Sequence, residues 1–303
     1  MKGIHYALVL TLCPGCGTHN LFTKMEKEPT KLEQAAIFLE DGDPTRAQEV
    51  ILNQVAPASK IILQDEKATL DTTITYSQNL ASSMEGVENG GNLLSMYANA
   101  EAQKSGVNAL SIMVDIIEID NELKAGSSLA LTAKEDDDKA IATFYPAMPA
   151  ECHQDATGVL ESLDKAVAII LATAILLGFN SDELEEKIRD ARKSVSKEDM
   201  FNAAIFSQVA VICPAMSYDT NHDKVISDEE AQAITDTQAE ELYARIVKAI
   251  DWIQALVDAN PGDENLAKAV KRMREYQDKI DTQAEDISLA NRVRIFLVEN
   301  SRT

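Results

Sequence analysis

The residues best suited to chemistry lie between Asp219 and Glu230, where the chain reads Asp-Thr-Asn-His-Asp-Lys-Val-Ile-Ser-Asp-Glu-Glu. Asp219, Asn221 and Asp223 put side-chain oxygens at positions one, three and five of this twelve-residue stretch, and Glu230 at position twelve can offer both carboxylate oxygens. Val225 supplies a backbone carbonyl at position seven, and Ser227 occupies position nine, where a water commonly mediates. A hard cation with oxygen-only ligands is the chemistry such a set serves, so Ca²⁺ is the expected cofactor. The competing reading is an acidic, solvated helix start, because carboxylates also favour the first turn of a helix. Two residues count against the ion. Lys224 at position six brings a positive charge and a side chain where a left-handed backbone favours glycine, and Pro214 is expected to interrupt the preceding helix, leaving it short or absent.

In its spacing the stretch resembles the loop of an EF-hand, and Ile226 at position eight matches the apolar residue that anchors such loops. Residues 227–231 carry helix-forming character into the exit. A single unpaired loop implies weak binding, on the order of 10⁻⁴ to 10⁻³ M, which suits structural occupancy rather than signalling.

Other chemistry is thinner. Cys152 and His153 are sequence neighbours without an identifiable carboxylate partner or oxyanion loop, and His19, His153 and His222 lack metal-ligand spacing. His222 falls at a non-ligand position and is expected to be exposed. The chain has no Gly-rich phosphate loop, no Gly-x-Ser-x-Gly elbow and no His-Glu-x-x-His. The expectation is a binding module and not a catalyst.

The elements that must position the loop are helices. Aromatics make up 5% of 303 residues against 45% hydrophobic overall, and the abundance of Ala, Leu, Ile, Glu and Gln favours helix over strand, so the fold is expected to be all-α. Thr30-Lys31-Leu32-Glu33 has the form of a capping box, Gly42 ends that helix, and Asp43-Pro44 opens the next. Helical periodicity recurs at about 64–81, 92–105, 108–121 and 158–177, the last so apolar from Ala166 to Phe179, a run bordered by Lys165, that a central helix is expected there. Ser196 caps another helix, two long amphipathic helices carry Leu242 to Val257 and Leu266 to Ile280, and a last is expected over about 282–299.

A formal charge of -22 makes nucleic acid an improbable partner and denies the body a basic patch for anionic lipid, so any membrane attachment needs an anchor. The N-terminal run Met1 to Cys13, with Lys2 before a short apolar segment, has the proportions of a cleaved secretory signal and is too brief to span a bilayer. Cys13-Pro14-Gly15-Cys16 is open to a redox or zinc reading, although the flanking sequence lacks the βαβ pattern of a thioredoxin-like site. With small Gly15 before Cys16 and Gly17-Thr18 after it, the segment resembles the lipobox of bacterial lipoproteins. That resemblance implies a signal peptide over 1–16, Cys16 as the lipidated first residue of the mature chain and, with no Asp after it, outer-membrane sorting toward periplasm or cell surface. Residues 17–29 read as a polar tether. Cys152 and Cys213 then remain in an oxidising compartment, either as a disulfide or as two buried thiols.

Phe38-Leu39-Glu40-Asp41-Gly42-Asp43 followed by Ala47 resembles the turn of a tetratricopeptide repeat, and Ala255 to Asp263 resembles a junction between such repeats. Between them no 34-residue period recurs. The resemblance implies one domain over 30–300, an irregular helical array with repeat-like hairpins that offers a groove to a protein or small-molecule ligand. Architecture alone supplies the alternative, the accessory lipoprotein of a tripartite ATP-independent transporter.

Overall fold

The computed structural model describes residues 29–65, 68–115, 147–176, 192, 195–284 and 286–301. The expected signal, Cys16 and most of the tether lie outside the described residues. Every regular element among the described residues is helical, so the fold is all-α.

The first helix, α1 (Lys31–Glu40), starts as its sequence dictates: Thr30 Oγ1 accepts from the Glu33 amide at 3.2 Å while Glu33 Oε2 accepts from the Thr30 amide at 2.8 Å. Gly42 supplies the left-handed turn with φ +74°, and Asp43 caps α2 (Pro44–Leu52), which packs back on α1 as a hairpin. Next come α3 (Pro57–Leu63), α4 (Thr73–Met84) and α5 (Gly90–Lys104), with residues 109–115 again helical.

A short α6 (Glu151–Gln154) leads into the apolar α7 (Ala156–Leu176), which lies against α4, α5 and the long α8 (Lys197–Tyr218). Beyond α8 come the short α9 (Asp228–Ala233), then α10 (Asp236–Ala259), α11 (Glu264–Asp281) and α12 (Leu289–Ser301). Thus α7 and α8 form the centre: α7 meets the N-terminal helices, and α8 meets α10, which carries α11 and α12. Helix α8 is long and apolar enough to cross a membrane by length and composition, but its side chains, Phe206, Val209 and Met216 among them, are already covered by neighbouring helices.

Three expectations from sequence are corrected. The period read across 64–81 is broken, because α3 stops at Leu63 and Thr72 Oγ1 accepts from the Thr69 amide at 2.8 Å, holding a turn before α4 begins. The last helix starts at Leu289 and not near 282: Thr282 Oγ1 bonds back to the Asp278 carbonyl at the end of α11. Pro214 does not interrupt α8, which continues to Tyr218. Proline in a helix interior costs about 3 kcal/mol, yet Val211, Cys213, Ala215 and Met216 are all buried around it, and that burial outweighs the lost amide. Lys165, which borders the apolar run of α7, is buried with its Nζ 3.7 Å from Glu101 on α5, whose other oxygen accepts from Gln48 Nε2 at 2.6 Å.

Candidate metal centre

Because α8 runs through Pro214, an ordered helix reaches the residue before Asp219, and the expected short or absent entry is corrected: the loop has an entering helix. Its exit is α9, begun by a capping box in which Ser227 Oγ accepts from the Glu230 amide at 3.2 Å and Glu230 Oε2 accepts from the Ser227 amide at 3.0 Å.

Inside the loop each acidic or amide side chain turns back on the chain. Asp219, 1% exposed, accepts from the amides of Asp223 at 3.2 Å and Lys224 at 2.8 Å. Asn221 Oδ1 accepts from the Asp223 amide at 2.9 Å, and Asp223 Oδ1 from the Val225 amide at 2.8 Å. These are successive Asx turns, which curl the segment around Asp219. Lys224 has φ +69°, so position six takes the left-handed conformation the pattern requires despite its side chain; His222 does so too, at +58°.

The ring is closed by Glu230. Its Oε1 accepts from the Thr220 hydroxyl at 2.7 Å and the Thr220 amide at 2.8 Å, so position twelve is tied to position two. The Thr220 hydroxyl and then the Ser227 amide favour the charged form most and hold this carboxyl down at about 2. Ile226, 1% exposed, points into the core, and its amide donates to Ser301 Oγ at 2.8 Å, so position eight is fastened to α12.

The backbone course and residue types therefore fit an oxygen-ligated cation: Asp219, Asn221, Asp223, the Val225 carbonyl, Ser227 and Glu230 would hold it. As they lie, the oxygens serve amides and hydroxyls, and no three His, Cys, Asp or Glu side chains converge on one point among the described residues. An ion would take the place of internal hydrogen bonds, above all those between Glu230 and Thr220.

Two neighbours of the loop are fixed only by the fold. Cys152 on α6 and Cys213 on α8 form a disulfide, their Cα atoms 4.9 Å apart, which selects one of the two readings left open for the pair. That bond occupies the only thiol of the Cys152-His153 dipeptide, so no nucleophile remains there. His153, next in the chain, meets exposed His222 edge-on with ring centroids 4.6 Å apart. The two residues are 69 positions apart in the chain, and no spacing rule joins them.

A second charged site lies in the core. Arg245 on α10 grips Asp164 on α7 through two bonds, Nη1 to Oδ1 at 3.0 Å and Nη2 to Oδ2 at 2.8 Å. Lys248, one turn further along α10, lies 3.7 Å from the same carboxylate, beyond hydrogen-bond reach. The signal available in sequence was Asp164 and Lys165 at the start of the apolar run of α7, and it names no partner.

Comparison with protein-family models, with curated proteins and with solved structures gave no match.

Proposed function

We propose that this chain is an exported, lipid-anchored helical scaffold of the outer membrane, facing periplasm or cell surface, in which Ca²⁺ at residues 219–230 rigidifies one connection while the helices present a surface to a protein or small-molecule ligand. The observation that carries the reading is the loop itself: twelve residues of calcium-ligand pattern, entered by a full helix, with position six left-handed and position eight locked to α12. Ligand types and backbone course agree independently of one another. The buried Cys152–Cys213 disulfide supports an oxidising compartment and hence export. Ile61 on α3, 71% exposed, and Ile37 on α1, 42% exposed, leave apolar side chains at the repeat-like end for a partner to cover.

The test is isothermal titration of Ca²⁺ into the full chain in detergent, with Asp219→Ala beside it. Saturable one-to-one binding with Kd of roughly 10⁻⁴ to 10⁻³ M, lost in the variant, is the expected result. No heat and no calcium-dependent change in melting temperature would reduce the loop to a capped acidic turn. Labelled palmitate fed to a Gram-negative host should enter the chain and not its Cys16→Ala variant; equal labelling of both would remove the anchor from the reading.

A further inference from the structure

Between α7, α8 and α10 a small cavity is lined by Asp164, Ser207, Arg245 and Lys248, with Leu163 and Phe206 among its apolar walls. It has room for a single small particle. Three polar atoms at this place are buried without a hydrogen-bond partner: Ser207 Oγ, Arg245 Nε and Lys248 Nζ. The Lys248 side chain as a whole is 15% exposed, but that exposure belongs to its stem, since Nζ itself is sealed. All three atoms can donate, and buried donors left unmatched are costly, so what the cavity lacks is an acceptor.

Charge points the same way. Asp164 is already taken by Arg245 in a bidentate pair, which leaves the Lys248 ammonium with only a 3.7 Å approach to a carboxylate that is neutralised. Arg192 adds positive potential felt by Lys248, and Asp251 balances it at 2.7 Å. A water would satisfy some of these donors but would have to direct its own two hydrogens among them. A monoatomic anion accepts from all of them and directs none.

We infer that this cavity is a binding site for a small monovalent anion of chloride size, held by Lys248 Nζ, Ser207 Oγ and Arg245 Nε. In a chain of net charge -22 the site is a local reversal of sign, set between α7, α8 and α10. Burial pushes the Lys248 ammonium down to about 8 from its ordinary 10.5, with Asp164 only partly opposing it, and an anion against Nζ restores the charged form. The site does not depend on the calcium reading.

Chloride-35 nuclear magnetic resonance on the full chain in detergent at neutral pH tests it directly. Saturable, protein-dependent line broadening that bromide competes away is expected, absent in Lys248→Met and roughly tenfold weaker in Ser207→Ala. Circular dichroism of each variant verifies the fold, and because Ser207→Ala deletes only an unpartnered hydroxyl it carries the test if Lys248→Met does not fold. Broadening that rises linearly with chloride and is the same in the folded variants would overturn the proposal and assign the cavity to water.

Discussion

The loop at 219–230 and the buried cluster of Asp164, Arg245 and Lys248 are both charged centres, but they are assembled in opposite ways. In the loop, carboxylates are satisfied by backbone amides and hydroxyls a few residues away, from Asp219 with the amides of Asp223 and Lys224 to Glu230 with Thr220. In the cluster, cations outnumber the one carboxylate they face, and the partners come from helices 81 residues apart in sequence. A local network is built with its own segment and stays partly hydrated. A long-range network exists only when the core closes, so its desolvation cost falls on the whole fold.

That contrast is broken most severely at Asp164. Asp164→Asn leaves Arg245 and Lys248 buried without a countercharge and is expected to cost about 3–5 kcal/mol by urea denaturation, far more than removing an exposed carboxylate. A loss below about 1 kcal/mol would mean the cluster is as forgiving as the surface. Next is the disulfide that ties α6 to the helix entering the loop. Cys152→Ser with Cys213→Ser is expected to cost about 2–4 kcal/mol, read in the same denaturation experiment.

Acid sharpens the comparison. Glu230 is held at about 2 against an ordinary value of 4.5, so its contribution is complete above 4.5 and fades as pH falls from there toward 2. The melting temperature should fall through that window, and Glu230→Gln, which can keep the cap but does not titrate, should flatten the fall; an unchanged profile would detach Glu230 from loop stability. The smallest effect is a gain. Lys224→Gly relieves a left-handed lysine at φ +69° and should stabilise the chain by about 1 kcal/mol while tightening calcium binding. A loss of stability there would show that the lysine side chain contributes more than its backbone strain takes away.

What could be read from the sequence follows the same division. The caps at Thr30 and Ser196 were legible because their partners lie three residues on, and the apolar run of α7 announced a central helix by composition alone. Pro214 misled because the cost of a missing amide is local, whereas the burial that outweighs it comes from α7, α10 and α6 packing on every side. The run across 64–81 misled for the reverse reason: its apolar period is helical, but Thr69 and Thr72 offer the backbone a competing turn. The candidate ligand positions in the loop rest on spacing, which the sequence displays directly. The fastening of Ile226 to Ser301, 75 residues away, and the meeting of His153 with His222 do not show in it.

Both sulfurs of the Cys152–Cys213 bond are fully buried, at 0% exposure. A thiol reductant, which must approach along the sulfur–sulfur axis, has no path to them while the helices stay closed. The oxidation state of this pair is therefore a memory: it records the redox conditions under which the chain folded and is insulated from those it meets afterward.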